Sequence, residues 1–492
     1  MLCTRHGRSR SGASGPDSAP YGARVFVDQG VGQLMHRFTR VRLMVLGIAG
    51  AALAALAGPG SAASPGLQFD PAVRLTHPNL GGYEPGIQVD RFGNIYITAH
   101  KQNHIDALAP DPASPTGVRS ASWLWTSTDG VNFTDLPGLS ALSLNNMNVG
   151  DEGDIALDQA DNLYFVDTDV KDVTFSRWHI SGLGRQTYQT EPPVIGGAQA
   201  LADRPWIAAL GNGVVGYFAN EGDKDSNPAG YAQHRGPANG PGRYTVYMSY
   251  DHGTTWDHTG YELADSGWCR PAADHAPGSQ TFYVVCTNDS GADDNVHNPG
   301  DAGYTVGTFY AYVTQDAGHS WSRYVVGHYD GHTVGTWPTV MVDRRGTVYV
   351  LAVDPHRTPH QPVQDVLDLF ISHSHGRTWT RRVLPTVGTE LPYTALAVAP
   401  DGTLGITYYG RPAKNSWWYL YAGELRGNGP YSSSKVSPVP IADPSITPWG
   451  DFYQAAFGPG DKLYVTWTVN ANLEGVAQTS GLNSDIYFAR QR

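Results

Sequence analysis

Ser249-Tyr-Asp-His-Gly-Thr-Thr-Trp256 returns as Thr314-Gln-Asp-Ala-Gly-His-Ser-Trp321. Two looser copies extend the series: Ser127-Thr-Asp-Gly-Val-Asn-Phe133 is one residue shorter, and Ser372-His-Ser-His-Gly-Arg-Thr-Trp379 has Ser374 in the Asp position. The pattern S/T-x-D-x-G-x-x-W/F reads as the tip of a β-hairpin. Asp129, Asp251 and Asp316 are expected to fold back on nearby backbone N–H groups, the glycine to take φ > 0, and the aromatic residue to pack between neighbouring sheets. Such turns at irregular spacing point to a β-propeller, with the aspartates in a structural role.

A second repeat is independent of the first. It is a short apolar alternation, a turn with Gly or Asp, and a β-rich run, as in Glu84-Pro-Gly-Ile-Gln-Val-Asp90 followed by Asn94-Ile-Tyr-Ile-Thr98. Seven such hairpins begin at Glu84, Glu152, Arg204, Trp268, Trp337, Tyr393 and Asp451. Where an Asp-centred turn is present it follows one of them, so the unit is a four-stranded antiparallel blade and the all-β fold is a seven-bladed propeller. Six blades are the alternative if the Trp268 unit is an insertion. The last unit is followed by only one strand, Ser484-Asp-Ile-Tyr-Phe-Ala489, and Ala72-Val-Arg-Leu75 is expected to supply the missing one and close the ring.

Composition agrees with this. The 58 glycines and 34 prolines are turn punctuation, 11% of residues are aromatic and only 16% charged. The net charge of -12 supplies no basic footprint, so nucleic acid is not an expected partner. Residues 64–492 read as one domain. Before them, Arg37, Arg40 and Arg42, the apolar run Leu43 to Ala57 and the small residues Ser61-Ala-Ala63 read as a secretory signal over 35–63. Residues 1–34 resemble neither signal nor fold, and a start at Met35 is expected. The apolar run is too short for a stable membrane anchor. Cys269 and Cys286 flank one hairpin turn almost symmetrically, which predicts a cross-strand disulfide in an exported chain.

Both turns of a blade lie on one face, so chemistry is expected on the other, where the long loops fall. There the seven hairpins present Glu84, Glu152, Arg204, Trp268, Trp337, Tyr393 and Asp451 at the entrances of the innermost strands. Carboxylates, a guanidinium and aromatic rings around one axis suit a sugar, with its hydroxyls and apolar ring faces. The ends of the second strands add His100, Asp167, Asn220, Asp354, Arg357 and Arg411.

The repeated turns resemble the Asp-box, and together with Asp203-Arg-Pro-Trp206 they resemble the bacterial neuraminidase repeat proteins of the sialidase-like superfamily over residues 68–492. The resemblance implies a glycan ligand and, for an active member, a Tyr nucleophile with a Glu base and an Asp acid: Tyr393, Glu390, and Asp151 or Asp451. It also implies an arginine clamp for a carboxylate, drawn from Arg204, Arg270, Arg357 and Arg411. Tyr83-Glu84-Pro85 stands where that family has Arg-Ile-Pro. Two alternatives remain: a non-catalytic glycan- or protein-binding propeller, and a polysaccharide lyase with a base or metal ligands among His100, His104, His328, His332 and His356. No cofactor is required by these readings. The oxygen-rich stretches Asp289 to Asp294 and Asp167-Thr-Asp169 are candidates for Ca²⁺ without EF-hand spacing. A monomer is expected.

Overall fold

The computed structural model describes residues 66–76, 80–103, 122–136, 152–168, 173–189, 202–221, 244–257, 260–263, 266, 268–287, 307–329, 337–356, 364–388, 390–445, 448, 450–470 and 484–492. The side chains of residues 80, 101–103, 152, 168, 202–204, 220, 221, 355, 356 and 364 are excepted. Among these residues the fold is all-β, and no helix is long and apolar enough to cross a membrane.

The strands form seven four-stranded antiparallel sheets, the blades of a seven-bladed propeller. The innermost strands are Leu80–Val89, Glu152–Leu157, Ala202–Ala209, Cys269–Ala273, Thr339–Val342, Thr394–Val398 and Ala455–Gly458. Each neighbours the next in chain order, and the last neighbours the first, so the ring is closed. Closure is by the N-terminal segment: Val73 and Arg74 pair with Phe488 and Tyr487 as the outer strand of blade 7. Thus the Trp268 unit is a full blade, and Cys269 and Cys286 are direct partners in its ladder, joined by a disulfide.

The Asp-centred turns behave as their residues dictate. The Ser249 hydroxyl and the Thr255 N–H donate to Asp251 Oδ1 at 2.9 and 2.8 Å, and the Thr255 hydroxyl donates to Oδ2 at 2.7 Å. Asp316 receives the equivalent bonds from Thr314 and Ser320. In the fourth copy Ser374 Oγ accepts the Thr378 N–H at 2.9 Å, so a hydroxyl does half of the carboxylate's task. In the short copy the Val131 and Asn132 N–H groups both reach Asp129 at 2.8 Å. Besides the glycine, the residue before it is left-handed in the three full-length copies: φ is +62° at His252, +57° at Ala317 and +54° at His375. Gly253 is required twice over, since a Cβ there would sit 2.0 Å from the Phe175 ring of blade 2. Trp256 packs edge-on against the same ring at 5.1 Å, which ties the turn to the neighbouring blade.

The turns joining the first two strands carry their own device. Asp90 accepts the N–H groups of Phe92 and Asn94, the Asn94 amide and the Tyr96 hydroxyl. Asp158 repeats this with Ala160, Asn162 and Tyr164, and Asp343 with Arg345, Thr347 and Tyr349. The spacing Asp-x₃-Asn/Thr-x-Tyr was the available signal for it.

Candidate functional site

The hairpin ladders decide which residues meet at the axis. Val89 pairs with Ile95 in blade 1 and Phe457 with Leu463 in blade 7, each one residue before the position, Asp90 or Gly458, that opens the turn. Five residues back from these stand Glu84 and Phe452. The seventh entrance residue is therefore Phe452, and Asp451 precedes it by one.

Two residues further along each innermost strand come Asp154, Trp206, Arg270, Thr339 and Gln454 in blades 2, 3, 4, 5 and 7, and Asp154, Trp206, Arg270 and Gln454 make contacts at the centre. Gln454 donates to Asp154 Oδ1 at 3.1 Å and accepts the Ile87 N–H at 3.2 Å, while the Ile207 N–H donates to Asp154 Oδ2 at 3.0 Å. The Arg270 guanidinium lies 3.9 Å above the Trp206 ring and 4.7 Å from Phe452, and the two rings are 4.5 Å apart. Blades 3 and 4 lie three steps round the ring from blade 7. Contact between them can only be made across the axis, so this group is a buried plug. Of its members only Arg270 was singled out by sequence. Among the described residues neither Arg270 Nε nor Trp206 Nε1 has a hydrogen-bond partner.

Burial governs the charges of the plug. Desolvation raises Asp154 to about 6 against the opposing Ile207 N–H, Arg270 and Gln454. Desolvation likewise lowers Arg270 to about 10, offset by Asp154, Tyr244 and Glu84.

Next to the plug, blades 1 and 7 meet at the closure of the ring. Glu84 is 2% exposed and lies in a bulge between Tyr83 and Gly86. Its Oε2 is 3.1 Å from His100 Nε2, its Oε1 accepts the Asp451 N–H at 2.8 Å, and its own N–H donates to Thr468 Oγ1 at 3.2 Å. The Tyr83 ring rests on His100 with centroids 4.2 Å apart. Asp451 and Tyr83 are partly exposed, whereas His100 is buried.

Around the rest of the mouth, Trp268 stacks on Trp337 at 5.1 Å, and Trp337 in turn meets Trp206 at 5.9 Å. Tyr393, partly exposed, packs edge-on to Tyr409 at 5.7 Å. Glu390 forms an ion pair with Arg411, which also donates to the Pro444 carbonyl at 3.1 Å and covers Trp418. The structure thus brings Glu390 to Arg411 and holds Arg270 in the plug; these two arginines have separate partners.

Farther out, Asp167 accepts the Ser122 N–H and hydroxyl, Asp354 shares Arg381 with Asp368, and exposed His328 meets Thr308 at 2.8 Å. Asp151, Arg357, His104, His332, Asp169 and residues 289–294 lie outside the described residues, as do the side chains of Glu152, Arg204, Asn220 and His356. Among the described residues no group of three or more His, Cys, Asp or Glu is placed to hold a metal ion.

No family model matches the sequence, and no curated protein does. Solved structures resemble the fold at low identity. A protein of unknown function from Dyadobacter fermentans is 12% identical with a TM-score of 0.44, over 87% of this chain and 100% of that one. The polysaccharide lyase Uly1 is 9% identical with a TM-score of 0.47, over 87% and 97%. The NanB sialidase from Streptococcus pneumoniae is 10% identical with a TM-score of 0.41, over 85% and 70%.

Proposed function

We propose that the protein binds a glycan at the axial mouth, on the face opposite the Asp-centred turns, and cleaves it there by general acid–base chemistry. One observation carries this reading: the partly exposed side chains Tyr83, Trp268, Tyr393 and Asp451 stand at the inner ends of blades 1, 4, 6 and 7, directly over a buried plug of charge and aromatic rings. Aromatic faces accept the C–H side of a sugar ring and carboxylates accept its hydroxyls.

In the hydrolase reading Tyr393 attacks the anomeric carbon as the glycosidic carbon–oxygen bond breaks, its phenolic proton passing to Glu390 and the leaving oxygen taking a proton from Asp451; water, giving a proton back to Asp451, then displaces Tyr393, which recovers its proton from Glu390. A second reading, elimination by a lyase, is favoured by the contact of Tyr83 with His100. There a base removes the proton beside a uronate carboxyl, the glycosidic oxygen leaves with the electron pair, and a carbon–carbon double bond remains. Incubation with labelled neutral, amino and acidic oligosaccharides separates the readings. Hydrolysis yields saturated reducing ends, elimination yields an ultraviolet-absorbing unsaturated sugar, and binding without new ends means a non-catalytic propeller.

The repeated turns are proposed to be Asp-boxes. Residues 35–63 are proposed to act as an export signal, a reading that suits the disulfide; N-terminal sequencing of secreted material that begins near Ser64 supports it, and an intact leader rejects it.

A further inference from the structure

We infer that Glu84 is a positioning residue, held in a left-handed backbone conformation so that one carboxylate sets the Asp451 loop of blade 7 and the His100 imidazole of blade 1 together across the closure of the ring. Glu84 has φ +53°, while Trp268, Trp337, Tyr393 and Phe452, its counterparts in other blades, are not among the positive-φ residues. Left-handed backbone is unfavourable for a residue with a Cβ, and it persists in a folded protein where surrounding contacts hold it. Here those contacts come from both sides of the closure. The backbone N–H of Glu84 is taken by Thr468, Oε1 by the Asp451 N–H, and Oε2 lies against His100. The loop is moulded to the side chain: Gly450 has φ +96°, and a Cβ there would lie 3.1 Å from Glu84 Cγ.

The inner strands of blades 1 and 7 are also joined by the Ile87 N–H to Gln454, but that bond does not reach the Asp451 loop. Glu84 pins them at the inner radius, where Asp451 must be aimed. Its backbone conformation and both carboxylate oxygens serve that one geometry.

Three variants test this, made in the full chain: Glu84→Gln, Glu84→Ala and Glu84→Gly. The first readout is hydrogen exchange at the Asp451 amide, which needs no ligand. Exchange should stay slow in E84Q, whose side-chain carbonyl can still accept, and rise at least tenfold in E84A and E84G. The second is thermal denaturation, in which E84G should melt above E84A, because glycine relieves the left-handed strain while lacking the same contacts. The third rests on the proposed glycan cleavage: with the labelled oligosaccharides, E84A should lose tenfold or more in kcat at little change in KM, while E84Q, which keeps the Asp451 contact, should retain most of it. Unchanged Asp451 exchange in E84A, or E84G melting below E84A, overturns the positioning role. Altered exchange in a protein that turns over no glycoside leaves that role standing and removes the hydrolase reading instead.

Discussion

The two faces of the propeller use the same residue type in opposite ways. On the turn face desolvation is the largest single influence on Asp316 and would raise it, but the hydroxyls of Ser320 and Thr314 and the Ser320 N–H together outweigh it and lower it to about 2. Asp251 is lowered in the same manner, with the Thr255 amide and hydroxyl overcoming its desolvation. At the axis Asp154 also accepts hydrogen bonds, but desolvation wins and its pKa rises to about 6. The difference is one of water: a short loop at the surface adds N–H and O–H donors to a carboxylate that keeps its solvent, whereas the axial plug removes solvent from all sides.

The largest expected effect that could break this contrast is removal of the cation in the plug. Arg270→Ala should cost about 3–5 kcal/mol in urea denaturation, since it empties the space over the Trp206 and Phe452 rings and removes the positive charge that opposes Asp154; a loss no greater than that of a turn aspartate would mean the axis is hydrated like the surface. Replacing Cys269 and Cys286 together by Ala should cost about 3 kcal/mol for so short a loop, and peptide mapping without reductant should first show the two joined.

The pH dependence of the plug has a definite sign. Because Asp154 titrates higher in the folded than in the unfolded chain, the folded state holds the extra proton between about pH 4 and 6. Stability from this group therefore falls as pH rises through that window, by about 3 kcal/mol in all. Asp154→Asn should flatten the slope, and an unchanged slope assigns it to another group. Asp251 and Asp316 contribute oppositely: their stabilisation is present above about pH 4 and fades as pH falls below it, toward about pH 2 for Asp316.

Among the smaller effects, Asp251→Ala or Asp316→Ala should cost about 1–3 kcal/mol by leaving turn N–H groups without their acceptor, with ligand handling per folded molecule unchanged. Trp268→Ala should cost about 1–3 kcal/mol for the lost stacking on Trp337 while leaving the fold intact, and weaken retention of an oligosaccharide by about tenfold in affinity electrophoresis. Loss of ligand from the turn variants, with none from Trp268→Ala, would exchange the roles assigned to the two faces.

What the amino-acid sequence determined by itself is local. The seven hairpins, the three Asp-centred turns and their Ser374 variant, the facing cysteines and the closing strand at Val73 were legible because each depends on residues close in sequence or on a strand visibly lacking its partner. The axis was not legible. Selection by entrance position found Glu84, Trp268, Trp337 and Tyr393, missed Phe452 by one residue, and passed over Asp154, Trp206 and Gln454 two residues farther in. Alternation gives two faces to a strand, but it does not say which residues meet across a ring. Bulges at Glu84-Pro85 and at Arg204-Pro205 shift the register where the strands enter. The decisive partners are remote: Glu84 and Asp451 are 367 positions apart, and Asp154 and Gln454 are 300 apart. Only closure of the seven blades puts such groups in contact, and only the burial that closure produces gives a carboxylate there a chemistry different from that of an aspartate in a turn.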